Sequence, residues 1–244
     1  MLSLFKTRPK LAELIPAGYV DIHSHVLPGI DDGAKTMQDS QFLLDSMKQL
    51  GFSKVITTPH TMGNVWNNTS DIINTTLHKV QSELPSLAQA TNLQAASEYF
   101  LDEHLMELAG QGSLLPLKDS YILVEMSYLN APLQLYDFLF ELQLKGYQLI
   151  LAHPERYSFL HANKKEYTKL KKAGCKFQLN LLATVGYYGK EVAEITDVLL
   201  KEEMYDFVGS DIHHKFHIES FLRKVTIGQH KALPALLANN QFFK

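Results

Sequence analysis

Histidines and carboxylates in this chain sit at the downstream ends of short apolar runs, where they could assemble a metal centre. Tyr19-Val-Asp-Ile leads into His23-Ser-His25, and Lys54-Val-Ile-Thr-Thr-Pro leads into His60. Leu93-Gln-Ala-Ala-Ser ends at Glu98, and Tyr121-Ile-Leu-Val ends at Glu125. Gln148-Leu-Ile-Leu-Ala runs into His153, and Asp206-Phe-Val-Gly-Ser into Asp211-Ile-His213. Two residues apart on extended chain, His23 and His25 point to one side and can reach a single ion. A carboxylate ending a buried run is costly unless cations surround it, which a shared metal provides. Asp31 and Asp32 follow in Pro28-Gly-Ile-Asp-Asp-Gly33, where one carboxylate suits a turn and the other a ligand. Which of the two ligates is left open. Mixed nitrogen and oxygen donors suit manganese, iron or zinc, with no thiolate to demand zinc.

The runs alternate with helical patterns. Thr36 and Asp39 form a capping box ahead of Leu43, Leu44, Met47 and Leu50, and Gly51 stops that helix. Asn130-Ala-Pro132 opens a second helix, with Leu135, Phe138, Leu139 and Leu142 inside and Gly146 after it. Tyr167, Leu170 and Ala173 before Gly174 mark a third, and Val192, Ile195, Val198 and Leu199 a fourth. A surface loop around Trp66 precedes a helix from about Ser70 and could border a substrate. With Lys176-Phe-Gln-Leu-Asn-Leu-Leu counted as a strand, seven strands alternate with helices or long crossovers. That alternation implies a parallel α/β sheet, and seven units favour a barrel whose strand ends form the active rim. A single domain spanning residues 1–244 is expected.

The apolar fraction of 45% is ordinary for a globular core. A net charge of −3 and a pI near 6.4 give no electrostatic case for nucleic acid or an anionic membrane. No stretch approaches the roughly 20 apolar residues that cross a bilayer. Residues 1–10 carry no apolar core after their charges, so no signal peptide is read and a cytoplasmic location is expected. Cys175, the single cysteine, rules out an internal disulfide and reads as packing. It opens no Cys-x5-Arg phosphatase loop, since Leu181 stands six residues on. Neither a Gly-x-Ser-x-Gly elbow nor a phosphate-cradling Gly-x4-Gly-Lys loop occurs.

Taken in order, His23-Ser-His25, Asp31-Asp32-Gly33, Thr58-Pro59-His60, Ala96-Ser97-Glu98-Tyr99, Val124-Glu125, His153-Pro154-Glu155-Arg156-Tyr157 and Ser210-Asp211-x-His213 resemble the polymerase and histidinol phosphatase (PHP) superfamily. Within it they resemble the bacterial manganese-dependent protein-tyrosine phosphatases encoded with capsule and exopolysaccharide genes. The resemblance implies a distorted seven-stranded (β/α)7 barrel holding three divalent ions, manganese foremost, with iron and zinc also suited. By it His23, His25, Glu98 and Asp211 hold one ion. Glu98 bridges to a second, on Glu125 and His153. Asp32, or else Asp31, joins His60 and His213 on the third.

The implied reaction is hydrolysis of phosphotyrosine in a protein, the tail of a bacterial tyrosine kinase being the expected partner. Arg156 and Asp32 are the catalytic candidates. Four carboxylates against three divalent ions leave a positive site that attracts a phosphate dianion. Arg156 suits a bidentate phosphate clamp, and Tyr157 and Lys215 are further substrate-binding candidates. Relatives often carry an arginine after the last histidine; here Lys215 or Arg223 is left to take its place. A phenolate, with a reference pKa of about 10, leaves without a dedicated acid. Histidinol phosphate or another small phosphomonoester is the alternative substrate. A non-catalytic PHP module is the alternative of a different class. A hydrolase of C–N or C–O bonds fits Glu98 and Glu125 poorly. His78, His104, His161 and His230 read as ordinary residues, while His214 and His217 could touch substrate. Trp66, Tyr128, Tyr157, Tyr187 and Tyr188 could wall an aromatic slot. No nucleic acid and no membrane insertion are expected, and a homo-oligomer is left open.

Overall fold

Seven apolar runs give nine strands in a computed structural model that describes residues 8–244. Residues 1–7, on which the reading of no signal peptide partly rests, lie outside the described residues. The strands are β1 (Tyr19–Asp21), β2 (Phe52–Thr57), β3 (His60–Thr61), β4 (Gln94–Ala95), β5 (Glu98–Phe100), β6 (Tyr121–Glu125), β7 (Gln148–Ala152), β8 (Lys176–Asn180) and β9 (Phe207–Gly209). One sheet has the order β1-β2-β4 and the other β3-β5-β6-β7-β8-β9, and every pairing is parallel.

Two of the runs break in the middle. Pro59 has no N–H to offer a ladder. Around it Thr57 Oγ1 donates to the Ser24 carbonyl at 2.8 Å and accepts from the Val26 N–H at 3.1 Å. Ser97 Oγ donates to the Pro59 carbonyl at 2.9 Å. Hydroxyls thus carry the bonds the ladder loses as the strands diverge. The α/β architecture with parallel strands stands, but the ladders form two sheets rather than one closed barrel. Between the ends of β1 and β9 lies a single parallel bridge, Ser24 with Ile212.

Side chains alternate along β6 and β7. Ile122, Val124, Leu149 and Leu151 join the large core beneath the helices. Leu123, Ile150 and Ala152 point the other way, into a second core with Val20, Ile22 and Phe243. Following those inward positions downstream, the residues turn polar at Glu125, and on β8 at Gln178 and Asn180, all buried. The apolar floor therefore ends where the candidate site begins.

The helices that fix the strand ends follow local signals. Thr36 caps the helix Met37–Gln49, with the Thr36 N–H returned to Asp39 Oδ2 at 3.0 Å, and Gly51 follows at φ +98°. The helix Leu135–Leu144 starts later than Pro132 suggests, because the Pro132 carbonyl is taken by the Leu135 N–H in a turn. Helices Ser70–Glu83, Lys165–Lys172 and Lys190–Lys201 lie in the regions expected for them. Among the described residues no helix is long and apolar enough to cross a membrane.

Candidate metal centre

Glu98 opens β5 directly beside His60 in the β3–β5 register, and it becomes the centre of the site. Its Oε2 lies 3.1 Å from His23 Nε2, 3.4 Å from His25 Nε2 and 3.2 Å from His60 Nδ1. Its Oε1 lies 3.1 Å from His153 Nε2. Asp211 Oδ1 stands 3.2 Å from His23 Nε2, 3.5 Å from His25 Nε2 and 3.4 Å from His213 Nδ1. Glu125 Oε1 is 2.8 Å from His60 Nδ1. Asp32 Oδ1 is 3.4 Å from His60 Nε2 and 3.3 Å from His213 Nε2. Overlapping groups close enough to hold an ion result: His25, Asp32, His60 and His213; His23, Glu98 and His153; His23, His25 and Asp211; His60, Glu98 and Glu125.

Hydrogen bonds behind the histidines decide what these contacts mean. His23 Nδ1 lies 2.8 Å from Gln178 Oε1, and the Gln178 amide nitrogen donates to the Leu179 carbonyl, so the oxygen end faces His23. His25 Nδ1 is 2.8 Å from Asp31 Oδ2, and His213 Nδ1 is 2.9 Å from the Asp211 carbonyl. Each partner atom is an acceptor, so each Nδ1 carries the proton and Nε2 turns a lone pair toward carboxylate oxygen. His25 Nε2 is buried with no hydrogen-bond partner. Lone pairs facing at such distances require a cation between them, either protons or metal ions. Without ions, burial is outweighed by carboxylates at His23, His25 and His60, which take protons, whereas burial, with Arg156 nearby, lowers His153. Burial opposes a charged His23, yet Glu98 and Asp211 push its pKa up to about 10. Burial likewise opposes charge on Glu98, but His23 and His60 hold its carboxyl well below the usual range. The donor set is therefore a cation site, and its nitrogens and oxygens fit divalent metal.

The two neighbouring aspartates separate by geometry. Asp32 is half exposed and faces His60 and His213. Asp31, counted among the candidate ligands, is buried behind His25 and also accepts from the Gly33 and His60 N–H groups at 2.9 and 3.3 Å. It holds His25 from behind instead of facing the cluster. His153 and Asp211 both sit in the left-handed backbone region, at φ +35° and +51°. Such strain in non-glycine residues collects at functional sites.

Arg156 pairs with Asp211 rather than Glu155: its Nη1 donates to Asp211 Oδ2 at 2.9 Å. Its guanidinium lies 4.4 Å from the Tyr128 ring centre and 4.2 Å from that of Tyr188. Arg156, Tyr128 and Tyr188 share a cavity of about 260 Å³ with Asp32, His60, Asp211, His213, His214 and His217. Trp66 stacks on His60 with ring centres 4.9 Å apart. Tyr157 does not reach the cavity. It is fully buried, donating from Oη to the Ala152 carbonyl at 2.9 Å and accepting from the Met126 N–H at 3.2 Å. Replacing Tyr157 with phenylalanine should cost about 1–2 kcal/mol in urea unfolding and leave KM for any substrate unchanged. Lys215 is also outside the cavity, exposed along an adjoining groove of about 330 Å³ with Lys35 and Phe42. Arg223 lies beyond it, 5.8 Å from the Tyr187 ring.

Several residues that position the site are not among the candidate site residues. Asn180 Nδ2 donates to Asp211 Oδ2 at 2.6 Å, leaving Oδ1 to the histidines. Asp21 accepts from the Ser210 N–H and hydroxyl, both at 2.8 Å, and so holds the turn into Asp211. Burial pushes Asp21 up to about 7. Glu155, raised by burial to about 7, accepts from the Asn180 N–H at 2.8 Å and from Tyr205 Oη at 3.0 Å. The signal available in sequence was placement: Asn180 ends a strand run as Glu125 does, and Asp21 interrupts one.

A cluster of histidines and carboxylates that could hold metal ions, at the ends of parallel strands and beside an arginine between two tyrosines, defines the class as a metal-dependent hydrolase on a parallel α/β fold. Residues 19–228 match the family described as capsular polysaccharide synthesis, CpsB/CapC, and the chain belongs to it. It is 27% identical over 226 residues to tyrosine-protein phosphatase YwqE of Bacillus subtilis (strain 168), covering 91% of this chain and 89% of that protein. It is 24% identical over 201 residues to tyrosine-protein phosphatase CpsB of Streptococcus pneumoniae, covering 80% of this chain and 83% of that one. A solved structure from the work on YwqE and CpsB, described as unique metal-dependent tyrosine phosphatases, superposes with a TM-score of 0.80 at 25% identity. That superposition covers 92% of this chain and 93% of the other.

Proposed function

We propose that this chain is a metal-dependent phosphomonoesterase that hydrolyses phosphotyrosine in proteins, with the tail of a bacterial tyrosine kinase of capsule or exopolysaccharide synthesis as substrate. The observation that carries the reading is Glu98, one buried carboxylate reached by His23, His25, His60 and His153. Family membership and the likeness to YwqE and CpsB support the reaction.

In this reading three divalent ions would lie in the cluster, manganese being the one the family resemblance implies and iron or zinc equally compatible with the donors. His23, His25, Glu98 and Asp211 hold the first; Glu98, Glu125 and His153 the second; Asp32, His60 and His213 the third. When bound, such ions neutralise phosphate charge and lower the pKa of water. Arg156 spends one donor on Asp211 and keeps the rest of its planar fork for a phosphate. Tyr128 and Tyr188, which flank it, would line the slot for an aryl ring. Asp32, the most open carboxylate of the cluster, would orient the attacking water. Lys215 would meet substrate beyond the phosphate. The seven runs are read as a distorted barrel completed at the Ser24–Ile212 bridge, in one domain. A cytoplasmic site of action belongs to the same proposal.

Ion binding should release protons, because His23 without ions stays protonated up to about pH 10. Lowering the pH keeps those protons in place and competes with the metal. Manganese affinity is therefore expected to rise at least about tenfold per pH unit between about pH 6 and pH 8. Titrations of the ion-free protein at several pH values measure this.

The reaction is tested by comparing a phosphotyrosine peptide with histidinol phosphate after reconstituting ion-free enzyme with manganese, iron or zinc. Metal-dependent turnover favouring the peptide, lost in His23→Ala, is expected. Preference for histidinol phosphate, or no turnover of either by metal-loaded protein, would overturn the reading.

A further inference from the structure

The helix Leu135–Leu144 is apolar on two faces. Leu135, Leu139 and Leu142 bury inward, while Tyr136, Phe140 and Leu144 form a stripe on the exposed side, at positions i, i+4 and i+8. Leu129 and Leu133 extend that stripe from the preceding loop, 80% and 100% exposed. A helix with a second apolar face normally lays it against something.

The neighbouring helix Lys165–Lys172 runs alongside in the same direction. Tyr136 Oη donates to Glu166 at 2.6 Å near the start of both, and Gln143 Nε2 donates to the Ala173 carbonyl at 2.6 Å near their ends. This second helix buries Tyr167 and Leu170 and exposes Lys165, Lys169 and Lys172, at i, i+4 and i+7, with Lys164 just ahead. Glu166 offsets Lys169 at 2.9 Å. Among the described residues, Lys164, Lys165 and Lys172 have no carboxylate within ion-pair distance. An apolar ridge beside a row of lysines matches an anionic lipid surface. Leucine and aromatic side chains enter the headgroup boundary while ammonium groups meet lipid phosphates.

We propose that this face docks the protein on an anionic bilayer without spanning it. A second copy fits the face less well. The lysine row lies along one side of the ridge, so antiparallel ridges of two copies would oppose lysine to lysine, whereas a lipid surface meets every lysine with phosphate. Leu129 and Leu133 stand clear of the surface on the Asn130-Ala-Pro132 loop, which suits entry into a fluid layer. The ridge also begins at the lip of the metal site, since Leu129 follows Tyr128, whose ring lies against Arg156. Docking would hold the cavity beside the lipid surface and favour phosphorylated segments tethered there. The binding itself does not depend on the proposed reaction.

Flotation of the full chain with phosphatidylcholine vesicles and with phosphatidylserine-rich vesicles tests this. Binding to the serine lipid alone, weakened by salt, is expected. Combining Lys165→Glu, Lys169→Glu and Lys172→Glu should weaken it on the order of a hundredfold, and Leu129→Ser with Leu133→Ser roughly tenfold or more. Thermal melts show that each variant is folded. No preference for the anionic vesicles, or unchanged binding by both variants, would overturn the proposal. So would self-association in sedimentation that Leu133→Ser abolishes, without any vesicle binding, which would give the face to a second copy.

Discussion

Changing Glu98 to glutamine is expected to lower kcat/KM for an aryl phosphate on the order of a thousandfold and to reduce the bound metal. The substitution keeps shape and removes charge. In the native cluster both carboxylate oxygens face imidazole nitrogens, so ions between them are held from both sides. The introduced amide can instead donate directly to a histidine lone pair, satisfying it with no ion present. The variant should therefore fold as before, with far-ultraviolet circular dichroism unchanged, while metal analysis after dialysis finds fewer ions. A full metal complement with near-native turnover would remove Glu98 from the centre of the account.

Arg156→Lys should leave metal content intact and still cost about a hundredfold in kcat/KM. The guanidinium is planar, lies between the Tyr128 and Tyr188 rings, and donates to Asp211 at 2.9 Å while keeping other donors free. An ammonium is a point charge and cannot stack, hold Asp211 and grip two phosphate oxygens together. Asp211 keeps its Asn180 bond at 2.6 Å in the variant, which is why the ions should stay. The pair of variants thus separates ion holding from phosphate holding. Turnover close to native for the lysine variant would make Arg156 a structural partner of Asp211 only.

How far this site could be read in the sequence depended on what each residue does. Histidines and carboxylates at the ends of apolar runs announce themselves, because a buried charge needs a partner and period-two spacing fixes which side it faces. Asp31 and Asp32 could not be told apart, since adjacent residues point to opposite sides of a turn whose orientation only the fold supplies. Tyr157 looked like part of a substrate motif, but its hydroxyl is consumed by the Ala152 and Met126 backbone. Asn180, Gln178 and Asp21 act by holding other groups, and no residue type signals that role. The run of β2–β3 reads as a single strand because Pro59 looks like a strand end, and that of β4–β5 because nothing in Ala96-Ser97 marks a break. The lysine and leucine rows escaped notice because a net charge of −3 averages over the whole chain and the rows lie on different helices.

Diffraction from crystals of the manganese-loaded protein, collected at the manganese absorption edge, tests the central claim most directly. The account predicts three anomalous peaks within the cluster: one among His23, His25, Glu98 and Asp211, one among Glu98, Glu125 and His153, and one among Asp32, His60 and His213. Peaks elsewhere, or a fully loaded protein with no peak touching Glu98, would contradict it.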